Sequence, residues 1–283
     1  MIMRSAAILG TLGILALAAC EPPEPFASSA SGLNAINSVN LTELMLTTGE
    51  PDAAVQFFRS SLAEEPNRLD FQRGYAISLT RADRHDEAVI AFERLDEQGD
   101  LEDRDRITFA QSLVRLNQWD RAEAQLSLVN NGAEEYRWNQ LNAIVADNYQ
   151  RWDAADRFYA KARSLTSAPA PILNNWGVSK MSRGDLDGAA RLFGDSVRYD
   201  PQSFSAKNNL AISRALQGNY ALPVVPLSEE ERAQIYHNMA LVALRQDSSD
   251  IARGLLELAV ETHPRHFAAA ADKLAALQGT VNR

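Results

Sequence analysis

Hydrophobic and polar positions repeat on two scales along this chain. Within each stretch of 12 to 14 residues the apolar positions recur at helical spacing, and the stretches themselves recur. Ala54, Ala88, Ala122, Ala155 and Ala189 are 34, 34, 33 and 34 residues apart, and Ala252 follows 63 residues later. Four residues beyond these alanines stand Phe58, Phe92, Leu126, Tyr159, Phe193 and Leu256. Twelve residues before five of them stand other small residues, Ala76, Ala110, Ala143, Gly177 and Ala240, with Ala211 at the equivalent place of an irregular unit. Pro66, Pro201 and Pro264 close three of the periods. The pattern predicts pairs of helices packed face to face. A small side chain on each lets the backbones approach, and the large residue one turn along fills the space beside it. Proline suits a boundary between helices, where its missing N–H breaks no ladder. Breakers fall at the predicted turns: Gly49-Glu50-Pro51-Asp52, Asp83-Arg84-His85-Asp86, Gly184-Asp185 and Gly218-Asn219.

This spacing resembles the tetratricopeptide repeat, whose period is 34 residues. The matching stretches include GEPDAAVQFFRSSLAEEP (49–66), NNWGVSKMSRGDLDGAARLFGDSVRYDP (174–201) and HNMALVALRQDSSDIARGLLELAVETHP (237–264). The resemblance implies an all-α, right-handed superhelical solenoid over 35–266, capped by a helix within 267–283. The units are 35–68, 69–102, 103–135, 136–169, 170–203, an irregular 204–228, and 233–266. Two residues depart from the repeat: Trp176 stands where leucine is common, and Thr42 replaces the small residue of the first helix. In the sixth unit the helix NNLAISRALQGNY is followed by ALPVVPLSEEER, and Pro223 and Pro226 forbid a second helix there. The break at 219–228 reads either as a tolerated deletion or as a hinge or apolar contact strap formed by Leu222, Val224, Val225 and Leu227. Ser228 and Glu231 form a capping-box pattern that starts the next helix.

Stacked repeats make a concave wall from their first helices. In tetratricopeptide proteins that wall holds a partner's peptide or helix, and an asparagine at the sixth position of the first helix bonds its backbone. Asn175, Asn209 and Asn238 match that position. They serve either such a partner or the neighbouring helices. Arg73, Arg81, Arg104 and Arg115 fall at groove positions of units two and three, either as a clamp for a partner's carboxylates or as a solvated face with local acidic partners. Trp119 and Trp152 fall near turns, Trp138 and Trp176 on first helices, and none calls for a ligand box.

The N-terminal region adds a location. Ala6 to Ala16 form an apolar run after Arg4, too short to span a bilayer and of the size of a signal-peptide core. Leu17-Ala18-Ala19-Cys20 follows, and Cys20 is the only cysteine of the 283 residues. The run resembles the lipidation box of a bacterial lipoprotein precursor. That resemblance implies a signal peptide at 1–19 and acyl chains on Cys20. Two or more chains anchor stably. Glu21 follows where an aspartate signals inner-membrane retention, which favours the outer membrane. The Pro- and Ser-rich segment 20–34 reads as an extended tether.

Composition narrows the chemistry. The net charge of −9 argues against non-specific nucleic-acid binding. With one cysteine there is no structural disulfide to expect. No phosphate loop, G-x-S-x-G or H-E-x-x-H occurs. Among the four histidines, His85 falls in a turn and reads as solvated. His263 and His266 straddle Pro264, so they would not share a helix face as metal ligands. The acidic run 96–105 lacks EF-hand spacing and reads as a solvated loop. The expectation is a non-enzyme with no cofactor and no metal, whose partners are proteins.

Lipidation box, short tether and repeats together resemble the TadD lipoproteins of the Tad (tight adherence, Flp) pilus system, as does the NNLAISRALQGNY segment. The resemblance implies an outer-membrane lipoprotein that helps a secretin pore assemble. Two other roles stay open: an adaptor for cell-wall hydrolases, and a part in outer-membrane β-barrel assembly.

Overall fold

The computed structural model describes residues 41–281. The segments expected to be a signal peptide (1–19) and a tether (20–34), with Cys20, lie outside the described residues. After the helical segment at 41–47 (α1) come α2 (Pro51–Glu64), α3 (Leu69–Arg81), α4 (His85–Glu97), α5 (Asp103–Arg115), α6 (Trp119–Ser127), α7 (Tyr136–Asn148) and α8 (Trp152–Ser164). Then follow α9 (Ala170–Ser182), α10 (Leu186–Tyr199), α11 (Phe204–Ala215), α12 (Glu229–Arg245), α13 (Ser249–Thr262) and α14 (Ala268–Val281). No strand occurs among the described residues.

The 34-residue period becomes antiparallel helix pairs. Ala76 and Ala88 are fully buried, as are Ala110 and Ala122, Ala143 and Ala155, and Ala240 and Ala252. Where the small residue is Gly177, a Cβ would stand 2.6 Å from the Phe193 ring, so the two helices touch there through glycine.

Five of the turns inside a unit use one device. Asp83, Asn117, Gln150, Gly184 and Asp247 take left-handed backbone conformations at φ 55, 58, 55, 84 and 56. The next amide in each returns to a carbonyl five residues back, as Arg151 N does to Ala146 O at 2.8 Å. This is the Schellman closure of a helix. Gly218 repeats it at φ 81 after α11, but the chain then runs through Pro223 and Pro226 instead of entering a second helix.

Without a second helix in unit six, α12 packs directly on α11. Tyr220, Leu222 and Leu227 of the strap lie against the same core as Ala211, Ile235 and Met239. Val224 is fully exposed. The predicted capping box is present: Glu231 N donates to Ser228 Oγ at 3.1 Å, and Ser228 N donates to Glu231 Oε2 at 3.0 Å. Lys207 of α11, 3% exposed, places Nζ 3.0 Å from Glu231 Oε1. A buried ammonium needs such a partner, so the pair pins the start of α12 to α11.

The stack is closer on one side. First helices pack on the first helices of following units, α3 on α5, α5 on α7 and α9 on α11, while no comparable packing joins successive second helices. A row of helix pairs drawn together on one side bends toward it, so the first helices form the inner wall. At the C-terminal end Phe267 and, on α14, Ala270, Leu274 and Leu277 cover the last pair. This is the cap expected within 267–283, with a helix running to Val281.

Candidate functional site

The inner wall carries a row of amides over α9, α11 and α12. Asn209 Nδ2 donates to Asn174 Oδ1 at 3.0 Å. Asn238 Nδ2 donates to Asn208 Oδ1 at 2.8 Å, and Gln234 Nε2 donates to Asn238 Oδ1 at 3.2 Å. Each amide has two N–H groups and two lone pairs. The links therefore leave the Asn174 and Asn208 N–H groups and the Asn209 oxygen without a partner among the described residues. One turn beyond Asn174 on α9 stands Val178, 42% exposed. Ile212, four residues beyond Asn208, and Leu241, three beyond Asn238, are half-buried at the same register. The wall thus presents polar groups that pair with any main chain beside a line of aliphatic side chains.

Of the three asparagines singled out in the sequence, Asn209 and Asn238 are in this row, and each bonds a neighbouring first helix. Asn175 is half-buried, and no side-chain hydrogen bond of it occurs among the described residues. The partners Asn174, Asn208 and Gln234 were missed. The doubled Asn-Asn at 174–175 and 208–209, one period apart, was the available signal.

The four arginines do not form one clamp. Arg73 lies between units two and three, with Nη1 2.8 Å from Glu102 and Nε 3.0 Å from Asp105, and it donates to the Asp100 carbonyl. Arg81 donates to the carbonyls of Met45 at 2.9 Å and Gly49 at 2.8 Å, which ties unit two to the turn of unit one. These two brace the stack. Arg115 stands exposed, 3.7 Å from Asp83, and Arg104 is exposed with no ion pair among the described residues.

Two further readings need correction. The acidic run 96–105 is not simply solvated: Asp105 is 3% exposed against Arg73, and Asp96 meets Arg106 at 3.3 Å. Burial raises the Asp105 carboxyl above the usual carboxylate range despite the Glu102 amide and Arg73. His85 is buried at the start of α4, with Nδ1 3.4 Å from Ser112 Oγ and Nε2 3.3 Å from Asp83. The turn that seemed to expose it folds back against α5.

A second polar cluster fixes α8 to α9. Asp156 accepts from Trp176 Nε1 at 2.6 Å, Lys180 Nζ at 3.0 Å, and Arg183. Burial pushes its carboxyl up, but those hydrogen bonds together outweigh it and hold the group below its ordinary range. Asp147 accepts from Ser179 and Tyr159, both at 2.7 Å, and burial nevertheless raises it. The cluster gives Trp176 a structural task at its departure from the repeat. Among the described residues no group of three His, Cys, Asp or Glu side chains is placed to hold a metal, and no helix is long and apolar enough to cross a membrane.

The family model described as tetratricopeptide repeat matches residues 45–102 and 174–222. The crystal structure of the APC/C hetero-tetramer Cut9-Hcn1 superposes with a TM-score of 0.55 at 15% identity, over 83% of this chain and 48% of that one. A tetratricopeptide repeat protein from Parabacteroides merdae gives 0.53 at 14% identity, over 85% of this chain and 97% of that one. The C-terminal part of a TPR repeat-containing protein from Cytophaga hutchinsonii gives 0.53 at 12%, over 81% and 97%. The chain thus spans about half the length of the first and nearly all of the other two. No curated protein matches the sequence. These likenesses show the fold, a tetratricopeptide-repeat superhelical solenoid. Such solenoids serve as protein-interaction scaffolds.

Proposed function

We propose that the chain is a lipid-anchored scaffold of a bacterial envelope, and that its inner wall holds an extended segment of a pilus-assembly protein. In this reading Cys20 carries the acyl anchor at the periplasmic face of the outer membrane. The partner is the secretin pore subunit of a Tad/Flp system. The observation that carries the reading is the paired row of amides and aliphatic side chains on α9, α11 and α12. Unsatisfied amide groups recognise a main chain whatever its side chains, and the aliphatic line adds apolar burial beside it. The Leu17–Cys20 box and the NNLAISRALQGNY segment support the location and the system.

The test is co-purification from detergent-solubilised envelopes. The wild-type chain should retain the secretin, and Asn174→Ala with Asn209→Ala should lower its recovery about tenfold, roughly 1.4 kcal/mol. Cys20→Ser should release the chain from the membrane fraction. Recovery of cell-wall hydrolases without a secretin would move the assignment to the adaptor role.

A further inference from the structure

The outer side of the solenoid holds a glycine that the fold itself does not require. Glycine inside a helix is unfavourable relative to alanine. Two helical glycines have a reason within the chain: a Cβ on Gly74 would strike the Phe58 ring at 2.3 Å, and one on Gly177 would strike Phe193 at 2.6 Å. Gly254, in the middle of α13, has nothing beyond its own helix backbone and chain neighbours within 4 Å of where its Cβ would stand; Gly194 of α10 is equally open but lies between Arg191 and Arg198. Ile251 and Leu258, one turn to either side on the same face, are 44% and 41% exposed. Together they form two aliphatic knobs around an open notch. The register varies among second helices. At the places of Gly254 and Leu258, α8 has Arg157 and Lys161 and α10 has Arg191 and Asp195, whereas α4 has Ile90 and Arg94 and α6 has Ala124 and, just past its end, Leu128, with Ile90 and Leu128 also exposed. Of these helices α13 alone sets a glycine between two aliphatic side chains.

The unpaired charges beside the notch are of one sign. Glu257 and Glu261 are exposed, and neither has an ion pair among the described residues. Asp250 pairs only with its neighbour Arg253.

We propose that the outer face of α13 docks a basic amphipathic helix of a protein partner. The notch at Gly254 lets such a helix cross at close approach, with its apolar stripe between Ile251 and Leu258. Lysine or arginine beside that stripe faces Glu257 and Glu261. This surface is separate from the inner wall, because α13 is a second helix.

The test uses a synthetic amphipathic helix about five turns long, of leucine on one face and lysine on the other, titrated into the isotope-labelled full chain. Amide shift changes should centre on α13. Gly254→Leu, which fills the notch without altering charge, should raise the melting temperature and weaken binding at least tenfold. Leu258→Ser should also weaken binding, while Asn209→Ala should leave it unchanged. The isomeric leucine–glutamate helix should not bind. Undiminished affinity in Gly254→Leu, equal binding of the acidic isomer, or loss of binding in Asn209→Ala would each overturn the proposal. So would self-association of the wild-type chain that Gly254→Leu abolishes, since the occupant would then be a second copy.

Discussion

Single residues show where this fold is held under cost. Gln150 closes α7 in a left-handed conformation that suits glycine. Gln150→Gly should therefore stabilise the chain by about 0.5–1 kcal/mol, the relief of strain exceeding the added entropy of the unfolded chain; urea denaturation measures it. Gly177→Ala should act the other way and cost about 1–3 kcal/mol, because its methyl group must push Phe193 aside. Asp156 gives a pH signature. Its carboxyl is depressed in the fold, so its stabilisation is present above the ordinary carboxylate value and is lost as pH falls through the lower folded value. Asp147, raised by burial, works in the opposite sense and favours the fold as it takes up a proton. Asp156→Asn should cost roughly 2 kcal/mol at pH 7, given its partial exposure. Its difference from wild type should shrink below about pH 4, near the ordinary aspartate value. A deficit that stays constant into acid would remove the charge from the explanation.

At the scale of elements, the sixth unit is the informative exception. The chain replaces a helix with a strap, and the Lys207–Glu231 pair fixes the helix that follows. The two partners are not equivalent. Glu231→Ala leaves a buried ammonium unpaired and removes the capping box, which should cost about 3 kcal/mol or more. Lys207→Met keeps the volume and leaves a carboxylate that reaches water, so its cost should be smaller. Denaturation of the two variants side by side checks the order. The helices themselves were legible in sequence because small and large residues at fixed offsets are packing requirements, and packing dictates the pairs. The break at Pro223 and Pro226 was legible for the same kind of reason, since proline lacks a donor. The environment of His85 was not. Its burial depends on how one turn folds onto the helix of the next unit, a contact between residues 27 apart.

The whole molecule is a curved stack with two unlike sides. Its inner wall was only partly legible. Register placed Asn209 and Asn238 there, yet periodicity gives the face of a helix and not the bonds made across it. Asn174 and Asn208 enter through those bonds. For Arg73 and Arg81 the same limit left a clamp and a solvated face with local acidic partners both open where the fold has braces, because their acceptors lie in neighbouring units. Photocrosslinking in intact envelopes tests directly whether the inner wall holds the partner. A crosslinking residue at Val178, on the inner wall, is compared with one at Arg157, on the outer side of α8. The account predicts a discrete adduct with one protein from position 178, lost with Asn174→Ala and Asn209→Ala, and none from 157. Adducts from 157 with none from 178 would contradict it.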